Sequence, residues 1–224
     1  MNRYSIIVAA GTGNRFGNKI PKQFHLLNGR PMLMQTIEKF AIAGGDIIVV
    51  LPEAFIDYWK EQCNKFIFPV IHRIVAGGDT RTQSVRNALA EIKNNSLIAI
   101  HDGVRPLVSR SLIEKIFLTA DEKQNAVPII PVGSSIRKVE GNKNYSVNRD
   151  ELMMVQTPQC FTSAILHEAY QKAIANNFTD DATVVEAIGH PIHLIEGETT
   201  NIKITQPADL IMAEALLRSG ILPS

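Results

Sequence analysis

Cysteine is scarce in this chain of 224 residues: Cys63 and Cys160 are the only two, and no paired spacing relates them. The sequence therefore suggests neither a disulfide framework nor a zinc cluster, and both thiols read as packing residues in a reducing compartment. Long apolar runs are missing as well. The N-terminal run extends only from Ile6 to Ala10 before glycines interrupt it. No later run approaches the roughly 18 residues of a membrane span, so the expectation is a cytoplasmic protein without a signal peptide. Nor does charge of one sign dominate. The 23 Lys and Arg residues against 22 Asp and Glu leave a formal net charge of +1, which argues against a strongly basic nucleic-acid binder and confines any cationic pocket to a local feature. What remains is 45% hydrophobic and 20% charged residues, the composition of a soluble domain with one sizeable core. No internal repeat, low-complexity tract or linker interrupts residues 1–224, which are expected to form one domain with a small elaboration.

Strand-like and helix-period segments alternate through the first 130 residues. Ser5–Ala9, Ile47–Leu51, Val70–Val75, Leu97–Ile100 and Ala126–Ile130 read as strands, and Met32–Ala43, Phe55–Asn64, Thr82–Asn94 and Leu112–Glu122 as helices. This rhythm predicts an α/β fold, a three-layer, mostly parallel twisted sheet. Around residues 134–150 the pattern changes: Ile136–Glu140 alternates, Gly141-Asn142 is turn chemistry, and Tyr145–Asn148 alternates again, which predicts a projecting β-hairpin. So few apolar residues give such an arm little to pack on in its own chain, and a partner subunit is the expected cover. A strand at Met153–Val155, helices at Ser163–Asn176 and Asp181–Ile188, a strand at Ile192–Ile195 and a closing helix Pro207–Ser219 complete the prediction.

The most informative segment is Ala9-Ala10-Gly11-Thr12-Gly13-Asn14-Arg15-Phe16-Gly17, running on to Pro21-Lys22-Gln23. Glycines directly after an apolar strand let several N–H groups converge on an anion, and Arg15 and Lys22 supply fixed positive charge; together they suggest a polyphosphate cradle at the carboxyl edge of a sheet. An ordinary glycine turn would need neither cation. A Walker loop is excluded because Gly-Lys-Ser/Thr is missing. The dinucleotide fingerprint fails because the spacing is Gly11-x-Gly13-x-x-x-Gly17.

Three further groups carry candidate chemistry. In Gly77-Gly78-Asp79-Thr80-Arg81-Thr82-Gln83-Ser84, Asp79 or Thr80 can cap a helix, or Gly78, Asp79 and Ser84 can line a slot that reads the edge of a base. In His101-Asp102-Gly103-Val104-Arg105-Pro106, Asp102 can hold Mg²⁺ or accept from a sugar hydroxyl and Arg105 can fork onto a phosphate, while His101 reads as a core histidine. Late in the chain, Thr179-Asp180 looks like a helix cap, and Lys203, between Ile202 and Ile204, must point either to solvent or into a cleft.

Taken together, these segments and Gln156-Thr157-Pro158-Gln159 resemble the 2-C-methyl-D-erythritol 4-phosphate cytidylyltransferases of the non-mevalonate isoprenoid pathway over nearly the full length. The resemblance implies a nucleotidyltransferase of glycosyltransferase-A-like fold, a homodimer joined through the arm, using CTP and Mg²⁺ or another hard divalent cation. It gives Arg15 and Lys22 the stabilisation of charge on the α-phosphoryl group. CTP would meet Ala9, Ala10, Gly11, Gly13, Gly78, Asp79, Ser84, Asp102 and Gly103, with Asp102 the metal candidate. The second substrate would meet Asp102, Arg105, Ser135, Thr157, Thr179, Lys203 and Arg149; of these Lys203 would also lie near the reacting phosphates, and Arg149, from a neighbouring subunit's arm, would position the attacking phosphate, which makes both catalytic with Arg15 and Lys22. Ser134-Ser135-Ile136-Arg137 stands where the family commonly has Asp-Thr-x-Lys, and Asn148 where it has aspartate. Because these departures fall in the arm, the alternative acceptor is another polyol phosphate such as D-ribitol 5-phosphate. An opening that reads Ala9-Ala10-Gly11 rather than Gly-Gly favours methylerythritol phosphate.

Overall fold

Strand β1 (Asn2–Val8) is buried through Ser5, Ile6 and Ile7, and its side chains divide between two sides of a sheet. The computed structural model describes residues 1–11, 20–93, 95–172 and 178–223. After β1 come the short hairpin β2 (Leu26–Leu27) and β3 (Arg30–Pro31), α1 (Met32–Ala43), β4 (Asp46–Leu51), α2 (Ile56–Lys65), β5 (Arg73–Ala76), α3 (Arg81–Leu89) and β6 (Ser96–Asp102). Then follow α4 (Arg110–Lys123), β7 (Asn125–Pro131), the arm strands β8 (Ile136–Glu140) and β9 (Lys143–Val147), β10 (Met153–Val155) and β11 (Gln159–Thr162). The last elements are α5 (Ser163–Lys172), α6 (Asp181–Glu186), β12 (Leu194–Glu196) and α7 (Pro207–Ser219).

The main sheet runs β10-β7-β11-β6-β1-β4-β5, with β12 also paired to β7. Strands β6, β1, β4 and β5 are mutually parallel, and β11 inserts antiparallel between β6 and β7. Two-residue periodicity makes the three layers. Ile7, Val49 and Ala99 face α1, α2 and α4 through Ile37, Trp59 and Ile116, whereas Ile6, Val50 and Ile100 face α3, α5 and α6 through Val85, Leu166 and Val184. A smaller cluster, Leu27, Met32, Val104, Ile204 and Ala213, seats α7 beside the sheet.

Strand order sets the place of the site. The chain moves from β1 to β4 to β5 on one side, then crosses back to lay β6 on the other side of β1. A crevice opens at such a reversal, outside the carboxyl ends of the strands. In register, Val8 pairs with both Val50 and Asp102, and Leu51 pairs with Ala76, so all four parallel strands end level.

Several boundaries differ from the sequence expectation. The strand expected at Val70–Val75 starts at Arg73, the helix expected to reach Asn94 ends at Leu89, and the strand expected at Ile192–Ile195 is Leu194–Glu196. Asn201–Ile204 is hydrogen-bonded coil, with the Ile204 amide donating to the Val104 carbonyl. The helix expected at Ser163–Asn176 is described through Lys172. The arm is the expected hairpin, paired from Ile136↔Val147 to Glu140↔Lys143, and none of its residues from 136 to 147 is buried. No helix among the described residues is long and apolar enough to cross a membrane.

Candidate active site

A cleft of about 620 Å³ lies at the level ends of the four parallel strands, walled by the segments 8–11, 22–23, 52–53 and 77–81 together with Ser84, Asp102, Val104 and Lys203, while Gly103 is not among its lining residues. Close approach of the loops builds it. Gln23, itself buried, donates from Nε2 to the carbonyls of Ala9 (2.6 Å) and Gly11 (3.2 Å) and so ties the first loop to the turn that carries Lys22. A side chain at Gly103 would put Cβ 2.9 Å from the Ala9 Cβ; one at Gly77 would collide with the Ala10 Cβ and sit 3.0 Å from Ser84 Oγ. The two alanines are thus sandwiched between glycines of the neighbouring loops.

Asp102 is the electrostatic centre. Its Oδ2 lies 2.9 Å from Lys203 Nζ and 3.3 Å from Arg105 Nε, and its Oδ1 lies 3.9 Å from Arg81 Nε. Burial alone would raise this carboxyl, but Lys203, Arg81 and Arg105 hold it well below the usual carboxylate range, so it stays ionised. Arg81 also forks onto the fully buried Asp181, at 2.9 and 2.6 Å. Three cations against two carboxylates leave this cluster at +1, with Lys22 on the same cleft wall. Such a surplus suits a polyanion, although the first amides past the strand ends, those of Ala9, Gly77 and Gly103, are already bonded to the carbonyls of Val50, Leu51 and Val8.

The predicted residues divide into groups. Lys22, Lys203, Ala9, Ala10, Gly11, Gly78, Asp79, Ser84 and Asp102 meet at the cleft. Lys203, whose direction was open, points inward. Ser84 is turned beneath its loop, accepting from the Gly78 amide (3.1 Å) and donating to the Thr80 carbonyl (2.9 Å), and Thr80 rather than Asp79 caps α3. Arg105 and Thr157 support Asp102 from behind. Arg105 donates to the Asn201 carbonyl at 2.7 Å, and Thr157 Oγ1 accepts from the Asp102 amide at 3.0 Å. His101 is a satisfied core histidine: Nε2 donates to the Arg105 carbonyl, Nδ1 accepts from Thr157, and burial pushes it down to about 4. Thr179 is exposed beside Asp180, which caps α6. Ser135 and Arg149 are exposed on and beside the arm, away from the cleft walls of their own chain. Gly13 and Arg15 lie outside the described residues.

Sequence reasoning assigned no role to Arg81, Asp181 or Gln159, all of them central here. Arg81 stood inside a quoted motif, yet its partner is 100 residues away; an arginine in the first turn of a helix, where the dipole disfavours cations, was the available signal.

Among the described residues no group of three or more His, Cys, Asp or Glu side chains could cage a metal. Asp102 alone fits a Mg²⁺ ion held chiefly by phosphate oxygens and water, the usual way that ion is bound beside nucleotides. Its Oδ2 is taken by two cations, which leaves Oδ1 the better placed donor.

Comparison with known proteins gives the family. The family model described as 2-C-methyl-D-erythritol 4-phosphate cytidylyltransferase matches residues 4–219. Enzymes of that name from Phocaeicola vulgatus and Porphyromonas gingivalis are 45% and 47% identical, covering 97% of this chain and 100% and 98% of theirs. The solved structure of the Thermus thermophilus enzyme has 34% identity and a TM-score of 0.79, covering 97% of this chain and 100% of that one. One from Anaerococcus prevotii, named 4-diphosphocytidyl-2C-methyl-D-erythritol synthase, has 27% identity and a TM-score of 0.82, covering 97% and 96%. With the sheet-edge cleft, its cationic walls and these matches all in agreement, the chain belongs to the 2-C-methyl-D-erythritol 4-phosphate cytidylyltransferase family.

Proposed function

We propose that CTP lies across the ends of β1 and β6, with its triphosphate between Lys22 and Lys203 and its base against the loop Gly77–Thr80. The chain is a cytidylyltransferase that moves CMP from CTP to 2-C-methyl-D-erythritol 4-phosphate, giving 4-diphosphocytidyl-2-C-methyl-D-erythritol and pyrophosphate. A phosphate oxygen of the acceptor forms a bond to the α-phosphorus of CTP. The bond from that phosphorus to the bridging α–β oxygen breaks, and its electron pair leaves with pyrophosphate. No covalent protein intermediate is needed.

What the protein supplies is position and charge. Negative charge spreads over the α-phosphoryl oxygens as the leaving bond opens, and fixed cations facing that point stabilise it more than they stabilise bound CTP. Lys22, on a turn fastened by Gln23, and Lys203, held against Asp102, are suited to this. Arg15 has the same part in the proposal, and Gly13 is a further proposed CTP contact; both lie outside the described residues. A divalent cation bound with CTP would neutralise further phosphate charge, and Asp102 Oδ1 is the protein oxygen that would hold it.

Neither Ser135 nor Arg149 lines the cleft of its own chain, and in the proposal both are delivered to a neighbouring chain's site in a homodimer joined through the arm. There Arg149 would orient the acceptor phosphate, with Thr179 as a further contact, while Arg105 acts through its hold on Asp102. One observation carries the whole reading: Lys22 and Lys203, 181 positions apart in sequence, line one cleft with Asp102.

Pyrophosphate release measured with methylerythritol phosphate and with ribitol 5-phosphate tests the reaction; turnover of ribitol phosphate alone would overturn the acceptor. Lys22→Ala should lower kcat on the order of 100-fold with a much smaller loss of CTP affinity. An equal loss of affinity with unchanged kcat would remove Lys22 from the transition state.

A further inference from the structure

A closed ring of polar contacts runs behind the cleft. The Asp102 amide donates to Thr157 Oγ1 (3.0 Å); two residues on, Gln159 Oε1 accepts from the amides of Asp181 (3.1 Å) and Ala182 (2.8 Å). Asp181 takes the Arg81 fork and the Tyr170 hydroxyl (2.6 Å), and Arg81 Nε returns to Asp102 Oδ1 at 3.9 Å. Gln159 and Asp181 are fully buried, and Thr157 and Asp102 nearly so. Gln159 Nε2 also donates to Asp180 (3.0 Å), so the ring fixes the corner that begins at Thr179.

The ring joins β6, the turn before β11, and the N-termini of α3 and α6. Arg81 is its one member that faces both carboxylates, hydrogen-bonded to Asp181 and at ion-pair distance from Asp102, and 23% of that side chain remains exposed on the cleft wall. Burial opposes its charge, but Asp181 and Asp102 outweigh that, so the guanidinium remains protonated.

We propose that Arg81 is a positioning residue for the transfer: held by Asp181, it aims the Asp102 carboxylate at the nucleotide and fixes the 179–181 corner relative to it. The inference rests on the functional reading above and adds to it a residue acting through others. A misplacement of about 1 Å between reacting groups costs on the order of 100-fold in rate, and a rigid ring linking the nucleotide side to the acceptor side prevents it.

Removing Arg81 alone strands a buried carboxylate, so stability and positioning must be separated. The double variant Arg81→Gln with Asp181→Asn removes both charges while keeping an acceptor for the Tyr170 hydroxyl. Its melting temperature, its CTP dissociation constant by calorimetry and its kcat by pyrophosphate release are compared with wild type. The expected result is a near-native melting temperature and CTP affinity with kcat lowered on the order of 100-fold. Wild-type kcat in the double variant would make Arg81 a clamp of the fold only, and a loss confined to CTP affinity would make it a plain nucleotide contact; either overturns the inference. Should the double variant not fold, Arg81→Lys, which keeps the charge and loses the fork, carries the same comparison, with kcat expected at least about tenfold down. A wild-type chain inactive with both polyol phosphates overturns the functional reading and the inference with it; an active wild type matched by its variant overturns the inference alone.

Discussion

Ala9 and Ala10 touch glycines on either side, and this contact decides how closely the loops around the cleft can approach. Gly77→Ala would drive a methyl group into the Ala10 Cβ, a short side chain with no rotamer to escape through. The first loop or the 77–80 loop must then move. The expected outcome is a rise in KM for CTP with a loss of stability of about 1–3 kcal/mol, the usual cost of overpacking, read by kinetics and thermal melting. An unchanged KM would mean that the loop spacing does not matter to nucleotide binding. At this scale the sequence was partly legible. Lys22, Lys203, Asp102 and the glycine loops announce themselves as charge or flexibility beside apolar strands. Arg81, Asp181 and Gln159 do not, because their meaning lies in pairings that only the folded chain brings together. Arg105 and Thr157, assigned to the second substrate by resemblance, spend their polar atoms on Asp102, His101 and Asn201.

Strands and helices that repeat a period were readable: α1, β10 and α7 begin and end where expected. Strand β11 was not expected, since four residues after a proline carry too short a pattern, and its pairing antiparallel between β6 and β7 is a choice of tertiary structure. Helix α2 offers a test of its own. Trp59, the only tryptophan, donates to His72 Nε2 at 2.9 Å, while His72 Nδ1 donates to the Val70 carbonyl at 2.8 Å, so the ring is neutral. Burial lowers the His72 pKa, partly offset by that carbonyl. A folded-state value below the unfolded value of about 6.5 means that the unfolded chain binds more protons in that window, so this contribution is intact above about 6.5 and is lost as pH falls toward the folded value. Trp59 emission should therefore change on acidification below about pH 6.5, and His72→Gln, which keeps an acceptor, should remove that component. Emission with the same pH profile in the variant would show that another group is responsible. Trp59 also lies 6.0 Å, ring to ring, from Phe24, two residues after Lys22.

For the molecule as a whole, the level ends of β6, β1, β4 and β5 bring loops from residues 8 to 104 into one wall, and α7 with its preceding coil closes it with Lys203. The arm is the part that a single chain leaves unused. Light scattering should report a dimer, and deletion of residues 136–147 should yield a folded monomer. If Arg149 serves the neighbouring site, mixing inactive Arg149→Ala chains with inactive Lys22→Ala chains should restore part of the activity, since one kind of hybrid site then holds both wild-type residues. Confirmed subunit exchange with no recovery would count against shared sites.

Since residues 136–147 contribute nothing to the buried interior, the arm can change its chemistry without taxing the sheet beneath the cleft. Ser134, Ser135, Arg137 and Asn148 sit in or beside that segment. If the arm delivers the acceptor contacts as proposed, acceptor choice and nucleotide handling become separable inheritances: a lineage could retune which sugar alcohol it accepts through these surface positions, while the machinery for splitting the triphosphate passed on untouched.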